Sequence, residues 1–237
     1  MPTMNEIYER HAREYDELVA CEDYRGNLGK ALESLVPEGA RVLELGAGTG
    51  RVTKLYAERA SAVTCCDRSA HMLDRARRNL SAFAGKIGYS LADNDALDKT
   101  GGSYDVIIEG WSFGHSAVAH ASEVPGWFAA LHTGLLGLLS PEGSIVIIET
   151  LGTLSRMPSA PGPVLGEFYD LLEGSFGCCR TVLDTSYRFG DGEEARRIIG
   201  FFFGHDMAAR VDGPLVPEYS GLWHFRRGSD DPAPART

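Results

Sequence analysis

The sequence predicts an α/β fold, a three-layer sandwich built around a mostly parallel sheet. Three observations carry this. An apolar strand runs straight into three alternate glycines, Gly46, Gly48 and Gly50, and then into a helical stretch; that order belongs to nucleotide-binding α/β sheets. From residue 41 to residue 149, apolar runs of strand length alternate with helical segments, the pattern of parallel strands joined by right-handed crossovers. The chain of 237 residues is 43% hydrophobic and 24% charged, enough for a proper core.

The elements follow in order. Residues 5–19 read as a helix, with Ile7, His11, Tyr15 and Leu18 on one stripe. At that spacing Tyr8 and Tyr15 suit core better than pocket. Residues 23–36 read as a second helix, turning Tyr24, Leu28, Ala31, Leu32 and Leu35 inward, and Pro37-Glu38-Gly39 ends it. The first strand covers 41–45, and the helix after the glycines runs to about residue 59. Strand 62–66 precedes helix 70–83, and strand 88–91 precedes a short acidic stretch. Residues 104–108 are a buried strand, and 109–115 form the loop after it. Residues 126–139 are helical, 140–143 turn, and 144–149 are the fifth strand.

The organisation changes beyond Glu149. Residues 155–163 hold three prolines and a glycine and predict a loop placed to act as a lid. A helix at 164–172, a strand at 180–189, a helix at 193–203 and a strand at 221–227 complete seven strands. Phe201 to Phe203 read as core. The domain reading is an N-terminal helical cover at 1–37, a main domain at 38–227 and a disordered polar tail at 228–237.

Bulk chemistry excludes several classes of partner. The net charge of −10 opposes a nucleic-acid partner and an anionic membrane. The cluster Arg75, Arg77 and Arg78 reads as a solvated helix face. Five cysteines without metal-ligand spacing predict reduced thiols and no metal site. No secretory leader or membrane-length apolar run is seen, so the expectation is a cytoplasmic protein, monomeric or homodimeric.

The glycine spacing narrows the ligand. The dinucleotide fingerprint is G-x-G-x-x-G/A, and its third small position falls here on Arg51. The G-x-G-x-G pattern, preceded by Glu44 and followed one strand later by Asp67, resembles the motif of class I S-adenosylmethionine-dependent methyltransferases. The element order resembles that fold along nearly the whole chain, and the resemblance implies a seventh strand lying antiparallel beside the fifth.

Ligands of open α/β sheets bind at the carboxyl ends of the strands. Those ends carry residues 44–50, Asp67, Asp93, 109–115 and 149–152, which should converge on one crevice. The resemblance implies a part for each. Glu44 and the backbone of Gly46, Ala47, Gly48 and Gly50 would meet the methionine moiety. Asp67, with Arg68 beside it, would hold the ribose, and Met72 the adenine face. Asp93 would accept from the adenine amino group, with the Asn94 N–H on a ring nitrogen; Asp95 is the alternative register. Glu109, Trp111 and His115 would lie beside the transferable methyl. There Trp111 shapes the pocket or faces the sulfonium, and His115 or Glu109 serves as a base for an acceptor that arrives protonated.

The implied activity is methyl transfer from S-adenosylmethionine, giving S-adenosylhomocysteine, to a small-molecule acceptor, an N or O nucleophile ahead of C or S. A non-catalytic S-adenosylmethionine-binding scaffold is the main alternative, and an NAD-dependent oxidoreductase the next.

Overall fold

A computed structural model of the protein describes residues 3–99 and 101–228. Helices α1 (Met4–Arg10), α2 (Ala12–Val19) and α3 (Asn27–Leu35) come first. Then follow β1 (Arg41–Leu45), α4 (Thr53–Tyr56), β2 (Ala62–Asp67), α5 (Ala70–Asn79), β3 (Ile87–Leu91), β4 (Tyr104–Gly110), α6 (Phe113–Ala119), α7 (Val124–Leu138) and β5 (Leu139–Thr153). The C-terminal part holds α8 (Pro163–Gly174), β6 (Cys179–Asp184), β7 (Tyr187–Arg188), α9 (Gly192–Phe203), α10 (His205–Ala208), β8 (Leu215–Val216) and β9 (Glu218–Arg226).

The main sheet has seven strands in the order β3-β2-β1-β4-β5-β9-β6. The pairs from β3 through β5 are parallel. Strand β9 lies antiparallel between β5 and β6, as the resemblance implied. The order reverses between β1 and β4, so the carboxyl ends of these two strands flank the crevice where such sheets bind ligands.

Alternation along the central strands explains the layers. Leu43, Leu45, Ile107 and Ile147 meet Phe128, Leu135 and Phe168 of α7 and α8 on one face. Val42, Val106, Ile108 and Val146 meet Leu32, Tyr56 and Ala76 of α3, α4 and α5 on the other. With both faces covered, the strands read as continuous apolar runs. A third cluster joins Ile7 and Leu18 of the first helices to Ile198, Phe202, Tyr187 and Val216. The cover thus packs on the late α9 and the small β7–β8 sheet.

Several element boundaries differ from the sequence reading. The first helix breaks at His11 (φ −123°, ψ 37°), whose ring packs edge-on against Phe201. The second helix starts only at Asn27, because the Asp23 carboxylate accepts the Asn27 and Leu28 N–H groups and caps it there. The helix after the glycines is a single turn. Residues 140–143 are no turn but an irregular stretch inside β5, where the register with β4 shifts between Tyr104 and Val106. The strand expected over 180–189 splits in two, because Asp184 accepts from the Ser186 N–H and hydroxyl and turns the chain. The loop expected after β4 is largely helix α6. The tail expected at 228–237 lies, from residue 229 on, outside the described residues. No helix among the described residues is long and apolar enough to cross a membrane.

Trp223 anchors the antiparallel insertion. It is fully buried, packs on Tyr169 at 4.5 Å between ring centroids and donates its N–H to Glu173 at 3.2 Å. Trp223→Ala should lower unfolding free energy by about 3–5 kcal/mol, read as an earlier midpoint in urea. An unchanged midpoint would mean that this strand pairing does not depend on the ring.

Candidate functional site

The glycine turn builds the floor of the site. Gly46, Gly48 and Gly50 all sit at positive φ (66°, 54° and 83°), where side chains other than glycine's are strained. A Cβ at Gly46 would collide with Ser112, and one at Gly50 would come within 2.6 Å of Leu80. Gly48 is different: a Cβ there would meet only the Gly46 carbonyl oxygen, at 3.9 Å. Its bare face looks into a cavity of about 320 Å³.

Asp67, the last residue of β2, ties that floor to the next helix. Its carboxylate accepts the Gly48 N–H at 2.8 Å and the Ser69 N–H at 2.7 Å. Burial raises its pKa, and these two N–H groups oppose the rise. Ser69 caps α5 and donates its hydroxyl to the Tyr8 carbonyl at 2.7 Å, which draws α1 over the cavity. Arg68 reaches Asn5 of α1 at 2.5 Å. Asp16 of α2 binds Arg75 at 2.5 Å and Asn79 at 3.0 Å, and Asn79 also donates to the Thr49 carbonyl.

Of the residues singled out in the sequence, Gly46, Gly48, Asp67, Arg68, Met72, Asp93, Asn94, Trp111 and His115 line this cavity. Asn94 donates its side-chain amide to the Ser112 hydroxyl at 2.6 Å. Asp95 also borders the cavity, but one of its oxygens accepts the Trp127 indole N–H at 2.9 Å.

Four candidates face elsewhere. Glu44 is buried, and one of its oxygens accepts from Tyr56 at 2.5 Å and Thr53 at 2.7 Å. It braces α4 and is not a wall of the cavity. Glu109 is also buried and accepts the Ser112 N–H and, at 2.9 Å, the Phe113 N–H. It caps α6. Ala47 donates its N–H to Cys66, and Gly50 packs on Leu80.

A second cavity of about 310 Å³ adjoins the first. Tyr8, Tyr15, Trp111, His115 and Val118 border both. The two tyrosines therefore face pockets, where helical spacing alone favoured core, and Phe203, read as core, joins Phe202 in the second wall. The proline-rich loop lines neither cavity; its Ser159 N–H bonds the Leu151 carbonyl beside β5.

Arg51, Glu22 and Glu218, together with Glu149 of the strand end 149–152, form a charged cluster in the second cavity, and the sequence reading gave the first three no place in it. Arg51 served there only to exclude the dinucleotide pattern. Its guanidinium holds Glu22 at 2.5 and 3.1 Å and lies 3.6 Å over the Trp111 ring. One face of Trp111 is therefore occupied by Arg51. An arginine immediately after the last glycine, with Trp111 at the neighbouring strand end, was the available signal.

Trp111 itself sits at φ 55°, a conformation that costs about 1–3 kcal/mol and collects at functional sites. His115, in the first turn of α6, shares a hydrogen bond of 3.0 Å between its Nε2 and the Tyr8 hydroxyl. The surrounding protein, with Arg68 adding to it, lowers the His115 pKa. Its neutral ring is a proton acceptor at pH 7.

Residues 42–134 match the methyltransferase domain family. The malonyl-acyl-carrier-protein O-methyltransferase of Geobacter sulfurreducens is 31% identical over 111 residues, which is 45% of this chain and 40% of that protein. The chain spans between 6% and 58% of the length of the curated relatives it matches. A solved structure concerned with the conversion of a disulfide bond into a thioacetal group during echinomycin biosynthesis superposes at TM-score 0.58. It is 18% identical and covers 96% of this chain and 94% of its own. The SAM-dependent methyltransferase of Aquifex aeolicus superposes at 0.51 with 13% identity, over 85% of this chain and 94% of its own. These two show the shared fold.

The buried carboxyls around the strand ends set a pH response. Burial lifts Glu44 and Glu218 to about 7 and Glu149 to about 8, from an ordinary 4.5. The folded chain then keeps protons that the unfolded chain has released. Stability is therefore complete below about pH 4.5 and falls as pH rises through 7 to 8. The urea midpoint should drop between pH 5 and pH 8. Glu44→Gln, whose amide oxygen still accepts from Tyr56 and Thr53, should flatten that drop. An identical slope in the variant would remove Glu44 from the set.

Proposed function

We propose that this chain, which belongs through residues 42–134 to the class I S-adenosylmethionine-dependent methyltransferases, transfers a methyl group to a small-molecule N or O acceptor. The observation that carries the reading is the meeting of two cavities across Tyr8, Trp111 and His115. One has the features of an adenosyl site; the other has room for a second small molecule. A site that only stored the cofactor would need no second cavity.

The first cavity fits S-adenosylmethionine by its donor set. The open face of Gly48 leaves space that no side chain fills. Asp67 keeps lone pairs for the ribose hydroxyls beyond its two N–H bonds. Met72 is a buried apolar wall. Asp93 is the better partner for the adenine amino group, because Asp95 is engaged by Trp127. When bound, the cofactor supplies an electrophilic methyl on a positively charged sulfur.

This chain's own contribution is orientation. Holding two reactants in line is worth about 7–11 kcal/mol of barrier. His115 accepts the proton of an acceptor that arrives protonated, and Tyr8 fixes the ring through its hydroxyl. Glu109 faces away from both cavities and supports α6 as a cap.

Isothermal titration with S-adenosylhomocysteine tests the cofactor site. The chain should bind it and not NAD. Asp67→Ala should weaken binding about ten- to hundred-fold, the loss of a charged hydrogen-bond acceptor worth about 1.5–3 kcal/mol. Equal affinity in the variant would remove Asp67 from the site.

Turnover tests His115. Because its pKa is lowered, the acid limb of kcat/KM should lie below the ordinary imidazole value of 6.5. His115→Ala should lower turnover, leave cofactor affinity nearly unchanged and erase that limb. A variant with the same limb would assign it to another group.

A further inference from the structure

The second cavity has an unusual charge balance. Five ionisable side chains other than tyrosine face it: Glu22, Arg51, His115, Glu149 and Glu218. Arg51 is the sole fixed cation among them, and its charge is matched by Glu22, which it holds with two nitrogens. His115 is held neutral by its surroundings. Glu149 accepts the Gly114 N–H at 2.5 Å. That leaves the Glu149 and Glu218 carboxyls without a matching positive charge.

Glu218 is also incompletely bonded. It is 2% exposed. Its Oε1 accepts the Thr150 hydroxyl at 2.8 Å, while its buried Oε2 has no hydrogen bond of good geometry among the described residues, the nearby Thr153 hydroxyl only partly opposing the effect of burial. A buried carboxyl oxygen left this way is destabilising unless a donor completes it. Glu109 also has an oxygen without a partner but lines neither cavity, and Glu44 takes two hydroxyls on one oxygen. Burial holds the Glu218 acid high, near 7, and an arriving cation would draw off its proton. The rest of the wall is apolar and aromatic, including Leu165, Tyr187, Phe202 and Phe203. Such rings attract organic cations. At about 310 Å³ the cavity is near the lower end of the ligand-site range of about 300–1,000 Å³, so the ligand is small.

We propose that the methyl acceptor is a small apolar amine, received in this cavity as its ammonium ion, with Glu218 accepting the N–H and the aromatic wall taking the body. This rests on the methyltransferase reading above and names its substrate class. The balance is simple. The ammonium gives one proton to the neutral His115 ring, and the freed lone pair forms the new N–C bond. The methyl's bond to sulfur breaks with its electron pair on sulfur, leaving a neutral thioether and a methylated ammonium. Glu218 is a specificity residue here and His115 the proton acceptor.

The test is calorimetric binding to the full chain saturated with S-adenosylhomocysteine, using 2-phenylethylamine, 2-phenylethanol and 3-phenylpropionate as matched probes. The amine should bind at least ten-fold tighter than the alcohol, and the carboxylate should not bind. Glu218→Gln should lower amine affinity ten-fold or more while S-adenosylhomocysteine affinity stays the same. Leu165→Trp, which fills the cavity from α8, should abolish amine binding with the same cofactor control, and serves if the glutamine variant folds poorly. An alcohol or carboxylate that binds as tightly as the amine would overturn the proposal. So would undiminished amine affinity in both variants, or no amine binding at all to the loaded chain. Failure of S-adenosylhomocysteine to bind the unsubstituted chain is a separate result, and it would sink the methyltransferase reading itself.

Discussion

The site depends on one half-buried cation. Arg51 leaves the glycine turn, binds Glu22 at the end of the cover with two nitrogens, and lies flat on Trp111 beyond β4. Three segments far apart in sequence are fastened at one guanidinium. A planar fork suits both tasks, because it pairs a carboxylate bidentately and stacks on a ring. Removing one member of a buried pair leaves the other charge uncompensated, a loss of about 3–5 kcal/mol. The cover therefore cannot lift off the glycine turn without breaking this bond. The same contact helps hold Trp111 in its left-handed conformation, together with the Trp111 N–H bonded to the Ile148 carbonyl at 2.7 Å. Trp111 is in turn part of the wall between the two cavities.

The order of the sheet and the glycine floor of the first cavity were legible because they are written in local chemistry. Glycines at alternate positions after an apolar strand announce a tight turn, and Asp67 stands at a strand end where a carboxylate has a defined task. Other features were not local. The break at His11 depends on Phe201, nearly two hundred residues away. The helix α6 was hidden because its stretch carries glycine, serine and histidine, poor helix formers. It is held by two buried acids from separate strands, Glu109 and Glu149, which accept its first N–H groups. The inward turn of Tyr8 follows from α1 being tied to Ser69, and that of Tyr15 from α2 being tied through Asp16 to Arg75 and Asn79, which no helical period encodes.

The buried acids show why residue type alone misassigns function. Glu44, Glu109, Glu149 and Glu218 all lie within or at the ends of central strands, and burial raises each of them. What separates them is the count of donors and the space in front. Glu44 is filled by Tyr56 and Thr53 and serves α4. Glu109 and Glu149 crowd each other, which raises Glu109 further, and cap one helix. Glu218 alone combines a free oxygen with a cavity wall. A strand-end carboxylate is thus a fold device in one place and a recognition group in another.

The two cavities also differ in what builds them. The floor of the first is made of backbone: glycines, N–H groups and one acid that collects two of them. Nearly all of its sequence-predicted contacts fall within residues 42–134, the stretch matched to the methyltransferase family. The second is walled by side chains that lie mostly before or after that stretch, from Tyr8 and Glu22 to Glu149, Phe202 and Glu218. Kinship over the matched stretch therefore speaks to the first cavity and to methyl transfer in general. The acceptor must be read from the charge and bonding of the outer segments, where a paired arginine and an incompletely bonded glutamate favour a cation over an anion.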